Sequence, residues 1–292
     1  MKGHKNFDFV DVSLKSDTRL FIDPCLIERA NDTWSLEAAK VMNIFFDCLF
    51  QAFQTGDPNY IYPLLAHAGE QNATRLGFGT GENGKGKTER GMFESLRELS
   101  RLSRNIPTIG KVQDIPVFVK GVAEDCLSDL LTNILYEQLN AFTAQQMAKW
   151  KYPTQGEKMF WTFDAGNRQW IQVVRPTWFL DGKEILLVPK WIVRKNFLFK
   201  ARQYLNAVII ERIRDDNGWQ DLKKIDVWNN FPRIGPHWEY EKVIEYTREH
   251  PDVLLEYHRK IPQYYKRKNG IMLDDDLDKV VYAQILAITQ EK

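Results

Sequence analysis

Apolar side chains recur every three or four residues in several long stretches of the chain, which is the spacing of a buried helix face. The clearest stretch covers residues 35–55, where Leu36 and Phe53 fall on one face. Ser35 is the expected N-cap of this helix, and Gly56 is the expected stop. The same spacing predicts further helices at residues 61–70, 89–104, 129–150, 196–214, 240–250, 252–260 and 275–289.

Shorter stretches alternate apolar and polar residues or form brief apolar runs, and such stretches predict strands. The sequence D-A-G-N at residues 164–167 is typical of a hairpin turn and separates two of them. The predicted strands cover residues 7–12, 18–22, 74–78, 115–119, 159–163, 170–174 and 185–188.

The order of these elements predicts an α+β fold, with mixed sheet strands mainly in the first 190 residues and a helical C-terminal part. Ser128 is expected to cap the helix at residues 129–150, and Pro262 is expected to interrupt the C-terminal helices. A change of pattern near residue 153 divides the chain into an α+β domain at residues 1–150 and a Trp-rich hairpin with helices at residues 151–292. A loop within a single domain explains the same change.

Composition narrows the class of protein. The chain has 292 residues, is 43% hydrophobic and carries a net charge of +1, so it resembles an ordinary globular protein without the basic excess of a dedicated nucleic-acid binder. The N-terminal residues lack the apolar run of a signal peptide, and no apolar stretch is long enough to span a membrane. Together with three scattered cysteines, these features predict a cytoplasmic protein without contact with membranes.

A Gly- and Lys-rich segment at residues 79–88, the Gly/Lys loop, fits the phosphate-loop pattern G-x-x-x-x-G-K-T. Backbone N–H groups of such a loop surround phosphate, and its lysine neutralises the negative charge. The residues expected to contact phosphate are Gly81, Gly84, Lys85, Gly86, Lys87 and Thr88. However, Arg75 and Gly77 interrupt the preceding stretch, which therefore does not read as a buried parallel strand. A nucleotide-hydrolysing loop, another phosphate-contacting loop and a plain surface loop all stay open.

Four carboxylates form the candidate catalytic and metal-binding set: Asp23, Glu70, Asp125 and Asp129. Asp23 ends an apolar stretch, where metal ligands are often found, although capping a turn before Pro24 is the commoner role for such a residue. Asp125 and Asp129 are four residues apart, so they share a helix face if the helix begins early. Carboxylates that share a site repel each other unless a cation lies between them, and we predict Mg²⁺ or Mn²⁺ there. Lys85, Lys87 or Lys190 would then lie near a scissile phosphate.

Four segments together resemble uncharacterised bacterial proteins of the kind found near anti-phage defence genes. They are F-I-D-P-C-L-I at residues 21–27, E-Q-N-A-T-R-L-G-F-G at 70–79, N-G-K-G at 83–86 and E-D-C-L-S-D-L-L-T-N-I-L at 124–135. The resemblance covers residues 7–150, with a looser match at residues 185–190. It implies a role in defence, and it carries no established activity or catalytic residues. It also implies that N-G-K-G is required and that Lys87 is not.

The leading hypothesis is an anti-phage defence component that acts on nucleic acid or nucleotide phosphate, with a metal-dependent nuclease as its enzymatic form. The first alternative is a phosphate-loop nucleotide-binding protein. The second is a non-enzymatic subunit of a defence complex, whose Trp-rich second half contacts a protein partner or another copy of the chain.

Overall fold

Helices form most of the chain, and three small two-stranded sheets complete the structure, which is a computed structural model. It describes residues 3–78, 89–122, 124–267 and 270–290. The helices are α1 Pro24–Arg29, α2 Thr33–Thr55, α3 Pro58–Leu65, α4 Glu89–Asn105, α5 Ile115–Phe118, α6 Glu124–Ile134, α7 Tyr136–Lys149, α8 Ala201–Tyr204, α9 Ile210–Asp216, α10 Lys224–Asn229, α11 Trp238–Glu249, α12 Asp252–Arg267 and α13 Asp274–Gln290. The strands are β1 Phe21–Ile22, β2 Gly156–Asp164, β3 Gln169–Thr177, β4 Phe179–Leu180, β5 Lys183–Glu184 and β6 Val193–Arg194. The predicted α+β class is confirmed.

The strands pair only in antiparallel twos, β1 with β6, β2 with β3 and β4 with β5. The β2–β3 hairpin is the longest, and it confirms the hairpin predicted from the D-A-G-N sequence. Its turn is held by the Asp164 carboxylate, which accepts hydrogen bonds from the N–H groups of Gly166 and Asn167. A short polar side chain that bonds to the backbone two residues later is typical of such turns.

Several predicted strands are wrong. Residues 7–12 and 74–78 form only single bridges, between Phe9 and Pro189 and between Thr18 and Leu76. Residues 115–119 mostly form helix α5. The proline stands in the first turn of this helix, where a backbone N–H would have no partner within the helix, so the N–H that proline lacks is not missed. Residues 185–188 are bound to neighbouring segments by isolated backbone hydrogen bonds and form no strand. Short apolar runs are compatible with either helix or strand, so burial alone does not distinguish them.

Helix α2 forms where the apolar spacing predicts it, and Gly56 ends it with a left-handed φ of 68°. Asp32, and not Ser35, is the N-cap, because its carboxylate accepts the N–H of Ser35 at 3.0 Å. Ser35 is buried instead and accepts a hydrogen bond from the indole of Trp191. Leu36 is 58% exposed, so its assignment to the buried face is also wrong.

The predicted helix at residues 129–150 is two helices, α6 and α7, separated at Leu135. Because α6 begins at Glu124, Ser128 lies inside it and is not an N-cap. Pro262 lies within α12 without ending it, contrary to the prediction. The helix predicted at residues 196–214 begins only at Ala201, and a π-helical stretch at Leu205–Ile209 joins α8 to α9.

Buried apolar residues from both halves of the sequence form one cluster. Phe45 of α2, for example, packs against Phe163 of β2 with ring centroids 5.0 Å apart. Tyr204 and Tyr257 of the C-terminal helices belong to the same cluster. In the described ranges, no helix is long and apolar enough to cross a membrane.

Candidate carboxylate site

Helix α6 carries polar side chains on one face, with Asp125, Asp129 and Asn133 each one turn apart. Its opposite face is buried through Leu127, Leu130, Leu131 and Ile134. The hydroxyl of Ser128 accepts the N–H of Ile22 at 3.0 Å, which connects α6 to β1. Packing therefore fixes the direction in which the two aspartates point.

Residues 69–78 lie across this polar face of α6. Asn133 donates its side-chain amide to the carbonyl of Gly69 at 2.7 Å, which holds the start of the segment. Near its end, the N–H of Thr18 donates to the Arg75 carbonyl, and the N–H of Gly77 donates to the Thr18 carbonyl. These bonds bring residues 17–18 and the segment that contains Glu70 beside α6.

Gly77 marks the closest approach of this segment to the acidic side chains. A Cβ atom at position 77 would lie 2.7 Å from Oδ1 of Asp125 and 3.9 Å from Oδ2 of Asp17. The φ of Gly77 is 140°, a backbone conformation that residues with a side chain rarely adopt. The next residue, Phe78, donates its N–H to the Asp125 carboxylate. Glycine is therefore required here for both its conformation and its size.

We call Asp17, Glu70, Asp125 and Asp129 the carboxylate cluster, because each carries a negative charge that acts on others of the set. Asp129 is affected most. Burial, followed by the charges of Asp125 and Glu70, raises its pKa to about 8, although the N–H of Gln71 donates to its carboxylate. A carboxyl group with this pKa is largely protonated at neutral pH unless a cation is close by.

Burial is also the largest cause of the raised pKa values of Asp125 and Asp17. The charge of Glu70 adds to both shifts. Arg75 and Lys183 oppose the shift at Asp17, and the pKa remains raised. The Nε atom of Arg75 is buried without a hydrogen-bond partner in the described structure. The two nearby cations therefore only partly compensate the acidic charge.

Clustered carboxylate oxygens are the ligands that Mg²⁺ and Mn²⁺ prefer. Within residues 3–78, 89–122, 124–267 and 270–290, no group of three or more His, Cys, Asp or Glu side chains has the arrangement needed to hold a metal ion. The cluster is thus a set of mutually repelling neighbours and not a preformed coordination shell.

Asp23 has different neighbours from the other three predicted site residues. It is fully buried as the N-cap of α1, where its carboxylate accepts the N–H of Cys25 at 2.8 Å and the hydroxyl of Tyr265 at 2.6 Å. Burial raises its pKa to about 7, while these hydrogen bonds and the charge of Arg194 oppose the shift. The geometry corresponds to the capping alternative for Asp23.

Of the lysines and loop residues predicted to contact phosphate, the structure describes only Lys190. The ammonium group of Lys190 donates to Asp274 at 2.6 Å and to the carbonyl of His4 at 2.9 Å, so it pairs with the C-terminal helix α13. The remaining predicted contacts lie outside the described residues and stay predictions; they are Gly81, Gly84, Lys85, Gly86, Lys87 and Thr88.

Sequence reasoning missed Asp17, Arg75, Lys183 and Asn133. The helical spacing of four residues from Asp125 and Asp129 could have identified Asn133. Asp17 occupies an irregular polar segment without any periodic pattern, so only the tertiary pairing of Thr18 with Leu76 places it at the site.

Comparison with known proteins yields a family match. No curated protein and no solved structure is similar to the chain at a significant level. One family model matches residues 1–200 and is described as a domain of unknown function, DUF8370. The matched residues include all four carboxylates of the cluster and the Gly/Lys loop, whereas the C-terminal helices lie beyond them. Because the match covers more than half of the sequence, the chain belongs to the DUF8370 family.

Proposed function

We propose that the carboxylate cluster binds a divalent cation and that the protein is a metal-dependent phosphodiesterase acting on nucleic acid or nucleotide phosphate. The observation that carries this proposal is the convergence of Asp17, Glu70, Asp125 and Asp129 from three separate segments. Such convergence is electrostatically costly, and the neighbouring cations only partly offset it. A divalent cation would remove that cost.

Hydrogen bonds that orient two of the carboxylates support metal binding at the cluster. Asp125 and Asp129 already accept backbone N–H groups, from Phe78 and Gln71 respectively, which orients their carboxylates. Glu70 is exposed, so its carboxylate is accessible to an ion that enters from solvent. Mg²⁺ or Mn²⁺ held here would polarise a phosphate oxygen and activate a water molecule for attack.

The Gly/Lys loop gives the proposal its substrate class. Its residues follow Phe78 directly in the sequence, and Phe78 is bonded to Asp125. In this proposal Lys85 and Lys87 neutralise the phosphate, and the loop glycines offer N–H groups to it. A phosphodiester in nucleic acid, or the phosphate of a nucleotide, fits a site that combines such a loop with a metal.

The biological setting that we propose is anti-phage defence in the bacterial cytoplasm. It is supported by the resemblance of residues 7–150 to proteins found near defence genes. A matching test is plaque formation in cells that carry the gene or its Asp129→Asn variant. Equal protection by both would count against an enzymatic role in defence.

A second candidate function is that of a non-enzymatic subunit, and exposed apolar side chains on the β2–β3 hairpin favour it. Met159 pairs across the hairpin with Val174, and both are more than half exposed. Trp161 projects from the same face, where His67 stacks on its ring. Solvent-exposed aromatic and apolar residues are typical anchors for a protein partner or a second copy.

The proposed activity is tested with purified protein, plasmid DNA or RNA, and Mg²⁺ or Mn²⁺. We expect Asp129→Asn to lower cleavage by about 100-fold or more and to abolish Mn²⁺ binding measured by calorimetry. Asp181→Asn is the matched control. Asp181 is exposed in a turn with a φ of 51°, which asparagine also tolerates.

Two results would contradict the proposal. One is the absence of Mn²⁺ binding by the intact protein. The other is metal-dependent cleavage that Asp125→Asn and Asp129→Asn both leave unchanged, because the nuclease would then be a contaminant. Co-purification of a stable partner with neither binding nor cleavage would favour the subunit role.

A further inference from the structure

A cleft in the C-terminal helical part has a chemistry unlike that of the carboxylate cluster. It has a volume of about 270 Å³ and lies between α8, α10 and α11, and so outside the residues matched by the family model. This size is near the lower end of the range for small-ligand sites. The residues that matter for its chemistry are Arg202, Asn206, Trp228, Arg233, Trp238 and Glu239.

Two indole rings form the apolar wall of the cleft. Trp228 and Trp238 meet edge to face, with ring centroids 4.9 Å apart and an interplanar angle of 85°. The Trp228 indole N–H donates to the side chain of Asn206, which holds the ring in place. Asn206 belongs to the π-helical stretch at Leu205–Ile209, and such widened turns occur frequently at functional sites.

Two arginines stack on these rings. The guanidinium carbon of Arg202 lies 5.5 Å from the centroid of Trp228, and that of Arg233 lies 5.9 Å from Trp228 and 5.8 Å from Trp238. A stacked guanidinium is fixed in orientation and keeps the N–H groups at its edge available for hydrogen bonding. Arg233 uses its Nη2 to donate to the Asn229 side chain at 3.0 Å and to the Trp228 carbonyl at 3.4 Å.

The charge of the cleft is not balanced. In the described part of the chain, the side chain of Arg202 makes no hydrogen bond or ion pair, and the residue is exposed. Glu239 is the one acidic residue among those that line the cleft, and among the described residues it forms no ion pair with either arginine. Two cations facing one carboxylate leave a net positive charge beside an aromatic wall.

We propose that this cleft binds a nucleotide, with the phosphate on Arg202 and Arg233 and the base against Trp238. Arg fork geometry suits phosphate, and aromatic side chains stack on bases of any sequence. Ile225 is exposed at the rim and offers further apolar contact. A cationic ligand is disfavoured, because the two arginines leave the cleft with a net positive charge. The proposal does not depend on metal binding by the carboxylate cluster.

The same chemistry occurs in a free nucleotide and in single-stranded nucleic acid, and two titrations distinguish them. The full chain is titrated with adenosine monophosphate and with a single strand of about ten thymidines, while tryptophan fluorescence and heat are recorded. Saturable binding of the mononucleotide identifies a free-nucleotide site. Binding of the strand alone identifies a single-strand site, and either outcome supports the proposal.

Variants test whether the cleft is responsible. We expect Arg202→Ala to weaken binding of the responding ligand about tenfold, since one charge-assisted contact is lost. Arg248→Ala is the matched control, because Arg248 is exposed about 15 Å along α11 from Trp238. Arg202→Glu should abolish binding. Circular dichroism establishes that each variant is folded, which the exposure of Arg202 leads us to expect.

The Asp129→Asn variant separates this inference from the proposed phosphodiesterase. Binding at the cleft should survive in that variant even if cleavage is lost. Three results would overturn the inference: no binding of either ligand, binding that Arg202→Ala leaves unchanged, and inorganic phosphate competing as well as the nucleotide. The last result would mean that the base makes no contact.

Discussion

Asp23 is fully buried and Asp129 is partly buried, and both have raised pKa values, about 7 and about 8, yet their surroundings differ in kind. Around Asp23 the protein supplies hydrogen-bond donors, the N–H of Cys25 and the hydroxyl of Tyr265. Around Asp129 it places Asp125, Glu70 and Asp17. Burial raises both pKa values, so the shift itself does not reveal function. The neighbouring groups do reveal function. Hydrogen-bond donors satisfy a buried carboxylate by themselves, whereas neighbouring carboxylates repel it and favour the binding of a cation.

The difference between Asp23 and Asp129 should have its largest effect on how the free energy of unfolding depends on pH. Asp129 keeps its proton in the folded state up to about pH 8 but loses it near 3.8 when unfolded. Its contribution to stability is therefore complete below pH 3.8 and is lost as pH rises through 8, by several kcal/mol. Denaturant unfolding at a series of pH values should show this decline, reduced in Asp129→Asn.

Added Mg²⁺ turns the same unfolding experiment into a test of metal binding at the cluster. A cation bound to the cluster should offset the decline caused by Asp129, because it stabilises the charged form. The smaller decline from Asp23, with its pKa of about 7, should persist in Mg²⁺, because its carboxylate is fully buried and already accepts the N–H of Cys25 and the hydroxyl of Tyr265. A pH profile that Mg²⁺ does not change would contradict metal binding at the cluster.

The next largest effect is expected for Asp23→Ala. The substitution removes the N-cap of α1 and leaves the buried hydroxyl of Tyr265 without its acceptor. Together these losses should lower the free energy of unfolding by about 3 kcal/mol. Asp129→Asn is expected to cause no such loss at neutral pH, so urea unfolding of the two variants compares the sites directly. Equal destabilisation by both would break the distinction.

A moderate effect is expected for Gly77→Ala. The new methyl group would lie 2.7 Å from Oδ1 of Asp125 and would require an unfavourable φ. We expect a loss of about 2 kcal/mol in the free energy of unfolding and weaker Mn²⁺ binding, because Asp125 must move. Gly182→Ala is a useful control, since Gly182 has a φ of 73° with open space around it. It should lower stability without changing metal affinity.

The smallest effect is expected for Tyr265→Phe. One hydrogen bond to Asp23 is removed while the ring remains packed, so stability should fall by about 1 kcal/mol. Because Asp23 retains the N–H of Cys25, cleavage and Mn²⁺ affinity should match those of the unmodified protein. A marked loss of activity in Tyr265→Phe would show that the two sites are coupled.

The predictable parts of the fold depend on long, regular patterns. The apolar spacing of α2 and the turn chemistry of the β2–β3 hairpin are local, and both features are observed. The failures are short segments. Residues 115–119 carry a β-branched apolar run, yet packing and the proline at the start favour a helix. Ser128 has the chemistry of an N-cap, but a tertiary contact with Ile22 uses its hydroxyl instead.

The candidate site was predictable only in part, for a related reason. Asp125 and Asp129 share a helix face, so their proximity follows from local geometry. The approach of Glu70 has no local pattern behind it, because it depends on the hydrogen bonds that hold residues 69–78 beside α6. Asp17 could not be found, because a parallel bridge between distant residues brings it to α6. Asp23 has the residue type of a ligand, and only the hydroxyl of Tyr265 reveals its structural role.

The hydrogen bond between Asp23 and Tyr265 also has a consequence for the order in which the chain is completed during synthesis. It joins residues 242 positions apart, so the bond can form only after Tyr265 has left the ribosome. Until then Asp23 must stay in water or be buried without one of its donors. The surroundings of Asp23 within the family region at residues 1–200 are therefore complete only after α12 has been synthesised, and long-range closures of this kind are slow.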